Sequence, residues 1–95
     1  MLNGGLAELL GFGPDRFASA RVTVDDGFVG AGYGISTAES SEAIELTART
    51  EALFLDPTYT GKAMAGLVAR IRRREFDKGA TVLFWHTGGQ VALFA

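Results

Sequence analysis

Residues 81–95 read TVLFWHTGGQVALFA. Thr81 to Trp85 is a continuous apolar run of strand length, the pattern of a strand covered on both faces in a parallel sheet. His86, Thr87, Gly88 and Gly89 break the run, and the apolar residues after them start a last helix. A strand that ends on a hydroxyl and a glycine pair is either a tight turn or a cradle, because glycine lets backbone N–H groups approach a ligand closely.

Upstream, the pattern alternates. Met64, Leu67, Val68 and Ile71 recur at i, i+3, i+4 and i+7 and predict a helix, with Ala63, Ala65 and Gly66 keeping part of its surface thin. LFLD (53–56) predicts a short buried strand stopped by Asp56-Pro57. Ser36 followed by Glu39 matches a capping box, so a helix is expected from about Thr37 to about Thr50 with Ile44, Thr47 and Ala48 facing inward. RVTV (21–24) alternates as a half-buried strand. Residues 28–36 (FVGAGYGIS) read as a glycine-rich loop without the spacing of a dinucleotide fingerprint, and Leu6 to Leu10 as a short helix closed by residues 11–14. The order after residue 20 is therefore strand, helix, strand, helix, strand, helix, which is an α/β layer with parallel strands joined by right-handed crossovers. Ligands in such sheets sit beyond the carboxyl ends of the strands, where the Tyr33 loop, the loop 56–62 and the loop 86–89 would meet.

Composition narrows the chemistry. The 95 residues carry a net charge of -2, which attracts no polyanion globally, and there is no cysteine for a disulfide or thiolate site. His86 is the single histidine, so no metal site is expected. The N-terminus lacks a signal-peptide pattern and no apolar run approaches membrane-spanning length, so a cytoplasmic location and no membrane contact are expected. The 47% hydrophobic content exceeds what so small a core needs, which predicts a partner: a copy of this chain or the rest of a larger protein. Arg70 and Arg72 to Arg74 crowd the end of the second helix, where cations complement the helix dipole; they are read as a solvated face with no nucleic acid. Lys62, near the start of that helix, is unfavourable to the dipole and is expected to have an anionic partner in Asp56 or Glu51.

The candidate site offers the phenols of Tyr33 and Tyr59, the hydroxyls of Thr60 and Thr87, the Lys62 ammonium and the Gly88-Gly89 pair. Such a set binds and polarises. It holds no Ser/His/Asp or Cys/His arrangement, which points to cofactor chemistry in which the organic group does the hard step. Blander uses stand beside these: Tyr59 could pack over a strand end, and Thr87 could cap the last helix.

Three stretches carry a family resemblance: GAGYG (30–34), ARTEALFLDPTYTGKAMAGL (48–67) and VLFWHTGGQVALFA (82–95). Together they resemble the C-terminal third of the pyridoxal-phosphate enzymes of the D-cysteine desulfhydrase and 1-aminocyclopropane-1-carboxylate deaminase group. The resemblance implies a fragment of the tryptophan synthase β-like fold, fold type II, as a partial three-layer sandwich, with residues 1–95 as the C-terminal part of the enzyme domain. It implies pyridoxal phosphate as cofactor, with Thr87 on the pyridine nitrogen and Gly88 and Gly89 bringing the backbone to the ring. Tyr33 and Tyr59 match catalytic tyrosines that face the substrate, and Thr60 a cofactor-binding position. Ring-opening deaminases of the group carry glutamate at the Thr60 position and leucine at the Thr87 position, whereas desulfhydrases carry threonine at both. The resemblance thus favours D-cysteine, giving pyruvate, ammonia and sulfide, over ring opening, with release of sulfite from cysteate, or a non-catalytic module, as alternatives. The family's Schiff-base lysine and phosphate-binding loop lie in an N-terminal portion; this chain has only Lys62 and Lys78. The expected partners are an amino-acid substrate, that N-terminal portion, and a second copy in a homodimer when complete, the isolated chain being inactive.

Overall fold

The computed structural model describes residues 9–11 and 21–94. Two α-helices organise them, α1 over Ala38–Glu51 and α2 over Thr60–Arg72, and a 3-10 helix follows at Gln90–Phe94. The helix expected at Leu6 to Leu10 lies outside the described residues apart from its last two positions.

Helix α1 begins one residue later than the Ser36–Glu39 pair predicts. Thr37 is the cap: it is extended (φ -113, ψ 162), and its hydroxyl accepts the Ser40 N–H at 3.0 Å. Ser40 returns the bond, its Oγ accepting the Thr37 N–H at 3.0 Å. A serine hydroxyl here does the reciprocal work usually given to glutamate, which is why the glutamate search lands on the wrong pair. Ser40, Ala43 and Thr47 form the buried face, with Ile44 and Ala48 half-buried beside it. The substitution Thr37→Ala removes one half of the box and is expected to cost about 1 kcal/mol, read as roughly fivefold faster exchange of the Ser40 amide. An unchanged exchange rate would show that the box contributes nothing.

Helix α2 packs against α1, and Ile44 lies against its backbone at Gly61. Thr60, Gly61, Lys62 and Ala65 are its buried residues. The stripe read from periodicity is less covered than expected: Met64, Leu67 and Val68 are half-buried and Ile71 is exposed.

The expected strands are where the sequence reading fails. Residues 21–24, 53–56 and 81–85 carry no ladder, and no strand forms among the described residues, so the parallel sheet and three-layer sandwich are not seen. An extended segment becomes a strand only when a neighbour lies about 4.8 Å away to take its N–H and C=O groups. These segments have no such neighbour among the described residues. Leu55 is buried, whereas Leu83 is 79% and Trp85 75% exposed, which leaves an apolar face uncovered. The last helix is likewise a 3-10 turn rather than an α-helix.

The arginines at the end of α2 meet carboxylates. Arg70 pairs with Asp25 at 2.9 Å, tying the extended segment before Gly27 to the helix. Arg72 pairs with Glu42 of α1, and Arg73 lies 3.9 Å from Glu75. No helix among the described residues is long and apolar enough to cross a membrane.

Candidate functional site

Asp56 organises the turn that carries two of the candidate site residues. Its carboxylate is buried. Oδ2 accepts the N–H of Thr58 at 2.8 Å and of Tyr59 at 2.6 Å; Oδ1 accepts the N–H of Thr60 at 3.0 Å and its hydroxyl at 2.6 Å. The cap residue Tyr59 has no capping side chain of its own, so Asp56 satisfies the orphan donors at the start of α2. Burial by itself raises the Asp56 carboxyl, and the hydrogen bonds from Thr60, Tyr59 and Thr58 outweigh it and hold the group below its ordinary 3.8. The sequence reading makes Asp56 a strand stop with Pro57 and a candidate anion for Lys62, and gives it no part in capping α2. The missed signal is an aspartate just ahead of a helix start with a hydroxyl four residues on.

Thr60 is consumed by the same network. Its hydroxyl donates to Asp56 Oδ1 and accepts the Asp56 N–H at 2.9 Å. One lone pair remains and no hydrogen to give, so this residue can only accept from a ligand.

Tyr33 and Tyr59, twenty-six positions apart, bring their phenol oxygens into direct hydrogen-bond contact. Their rings meet edge to face, centroids 5.8 Å apart at 70°. The bond to Tyr33 holds the Tyr59 phenol above its ordinary value of 10.0, with desolvation and the Asp56 carboxylate adding to the rise.

The turn after Trp85 is built around His86. Its Nδ1 accepts the Gly88 N–H at 3.2 Å, which leaves Nε2 to donate to the Phe54 carbonyl at 3.0 Å. The ring thereby joins residues 53–56 to the turn without a strand ladder. Gly89 follows with φ +92, and a Cβ there would run into the Asp56 carboxylate. The two glycines were expected to bring backbone to a cofactor ring. Here the Gly88 N–H is given to His86 and the bare face of Gly89 to Asp56.

A cavity of about 760 Å³ lies between α2, the Tyr33 loop and residues 82–87. Tyr33, Tyr59, Thr60 and Thr87 all line it, and its wall stops short of Gly88 and Gly89. Leu67, Phe84 and Trp85 supply apolar surface. The volume is that of a small-molecule site. No group of three or more His, Cys, Asp or Glu that could hold a metal occurs among the described residues.

The lining fits a flat heteroaromatic ring: apolar surface from Leu67, Phe84 and Trp85, bordered by neutral hydroxyls and phenols that can hydrogen-bond polar groups on it. A protein-family model described as pyridoxal-phosphate dependent enzyme matches residues 4–88 and so takes in both helices, both tyrosines and Thr87. Pyridoxal phosphate is the family's cofactor, and the family implies the fold type II architecture. With 4–88 of 95 residues matched and a cavity whose chemistry suits that cofactor, the chain belongs to the pyridoxal-phosphate dependent enzymes.

Proposed function

We propose that this chain is the wall of a pyridoxal-phosphate site that faces the pyridine nitrogen and the substrate carboxylate, in an enzyme that eliminates the β-substituent of an amino acid. D-cysteine is the substrate favoured, and with one water it gives pyruvate, ammonia and hydrogen sulfide. The observation that carries this reading is that Tyr33, Tyr59, Thr60 and Thr87 border one cavity although they span residues 33 to 87.

When bound, the cofactor supplies the electron sink for the departure of the substituent. Thr87 orients the ring through a hydroxyl that stays neutral and so does not force the ring nitrogen to hold a proton. Tyr33 and Tyr59 act as one unit, because a proton on either oxygen is shared with the other and the pair can present a donor toward a carboxylate or pass a proton. Thr60 contributes by fixing Asp56 beneath Tyr59 and, with its remaining lone pair, by accepting from the bound molecule. Leu67, Phe84 and Trp85 offer apolar surface to the ring faces.

The amine that anchors the cofactor comes from outside these residues in this reading. Lys62 borders the cavity but is buried and already donates to two carbonyls, and Lys78 is exposed and does not line the cavity. A lysine-bearing N-terminal portion of the enzyme would also cover the apolar surface at Leu83 and Trp85, and the completed enzyme would pair as a homodimer.

Co-expression with a lysine-bearing N-terminal segment, followed by assay of pyruvate and sulfide from D-cysteine, tests the proposal. Activity is expected only with both pieces. In that complex Thr87→Val is expected to lower turnover about tenfold, the worth of one hydrogen bond, while the cofactor absorbance remains. Full activity in the valine variant would remove Thr87 from the site, and no activity toward D-cysteine in a complex that binds cofactor would rule out that substrate.

A further inference from the structure

Lys62 is a charge in an improbable place. It is the third residue of α2, in the first turn, where a cation opposes the helix dipole, and it is buried, where an ammonium without partners is costly. Its partners are neither Asp56 nor Glu51. Nζ donates to the carbonyl oxygen of Val29 at 2.7 Å and of Gly32 at 3.0 Å, thirty-three and thirty positions earlier in the chain.

Those two carbonyls bracket the approach to Tyr33. The Gly32 carbonyl also accepts the Ile35 N–H at 3.2 Å, closing a turn with Tyr33 and Gly34 as its central residues. Gly34 has φ +73, the left-handed value that such a turn takes at its third position. Holding Gly32 therefore fixes the residue from which Tyr33 departs. Tyr59, the cap residue of α2, stands three positions before Lys62, so one end of the helix supplies both the clamp and the phenol that Tyr33 must meet.

We propose that Lys62 is a positioning residue whose ammonium, by gripping the carbonyls of Val29 and Gly32, sets the glycine-rich turn so that the phenols of Tyr33 and Tyr59 meet at the cavity. The role rests on the reading of the two tyrosines as site residues. A direct role for Lys62 toward a ligand is disfavoured by the geometry, since two of its three N–H groups are already spent on backbone.

The chain has two tyrosines, so tyrosinate absorbance followed against pH reads the pair directly, without cofactor or substrate. The groups that face Tyr59 are Tyr33 and the Asp56 carboxylate. In the 95-residue chain one phenol is expected to titrate above the ordinary value, and Tyr33→Phe should bring it down. Lys62→Met, of similar length with no donor, is expected to reproduce that downward shift while far-UV circular dichroism keeps the helical signal. A Lys62→Met chain that retains its helices and the raised phenol overturns the proposal. Loss of the helical signal also overturns it, by making Lys62 a folding residue. A raised phenol missing already in the unsubstituted chain would sink the phenol pairing and this proposal with it, whereas the cofactor reading is tested separately by the two-piece assay.

Discussion

Replacing Asp56 by alanine is expected to release the N-terminus of α2 and to speed amide exchange through that helix on the order of a hundredfold, the equivalent of about 3 kcal/mol. The magnitude follows from what one side chain does. Its carboxylate accepts four hydrogen bonds, three from the backbone of Thr58, Tyr59 and Thr60 and one from the Thr60 hydroxyl. Bonds to a charged acceptor are worth about 1.5–3 kcal/mol each, though they do not add when they share one acceptor group. Alanine leaves the three N–H groups at a partly buried helix start without an acceptor, and it frees the Thr60 hydroxyl from its place. Tyr59 loses its backbone anchor in the same event, so the phenol contact with Tyr33 should disappear as well. Exchange in α2 within a few-fold of the unsubstituted chain would mean that packing against α1, and not Asp56, holds the helix.

The sign of the pH dependence follows from the same bonds. The folded Asp56 carboxyl lies below its ordinary 3.8, so its stabilisation is complete above the unfolded value and is lost as pH falls through the folded one. Protection of α2 should therefore be flat above roughly pH 5 and decline below roughly pH 4. Asp56→Asn should be weaker at neutral pH and should lose most of this decline. Asp25, held low by the Gly27 N–H and then by Arg70, and Glu42, held low by Arg72, add a smaller exposed contribution that the asparagine variant retains. An asparagine variant with the original acid profile would assign the transition to those two carboxylates instead.

The parts legible in the sequence are those set by neighbours along the chain. The loop at residues 28–36 and both helices are local events, and their placement was missed by at most a few residues, Thr37–Ser40 replacing Ser36–Glu39 as the cap. The strands at 53–56 and 81–85 are read from apolar runs and that at 21–24 from alternation, and either pattern specifies only that a segment wants to be covered. Whether it pairs depends on a neighbour that periodicity cannot supply, and the exposed Leu83 and Trp85 record that unmet demand. The convergence of Tyr33, Tyr59, Thr60 and Thr87 on one cavity was legible in the sequence, though Gly88 and Gly89 do not join them. Its supports were not. Lys62 reads as half of an ion pair because charge is visible in a sequence and a folded backbone carbonyl is not, so its grip on Val29 and Gly32 emerges only in the fold.

The substitution Gly89→Ala is expected to damage the same centre from the opposite side. Gly89 has φ +92, which an L side chain rarely adopts, and that strain alone costs on the order of 1–3 kcal/mol. The added methyl would also occupy the position of the Asp56 carboxylate, so either the turn after Thr87 or the carboxylate must move. Gly34→Ala separates the two effects, because Gly34 shares the positive φ (+73) but a Cβ there meets nothing within 4 Å. Exchange in α2 should rise strongly for Gly89→Ala and little for Gly34→Ala, although both strain their own turns. A double-mutant cycle sharpens the comparison: once Asp56 is alanine the methyl has no carboxylate to displace, so Gly89→Ala should then cost only its backbone strain and the pair should be clearly less than additive. Strict additivity would mean that the carboxylate tolerates the methyl and that the contact between the Asp56 turn and the Thr87 turn does not couple them. Less than additive behaviour would identify Asp56 as the joint through which the Tyr59 wall and the Thr87 wall of the cavity are held at a fixed separation, a requirement for any ring that must touch both.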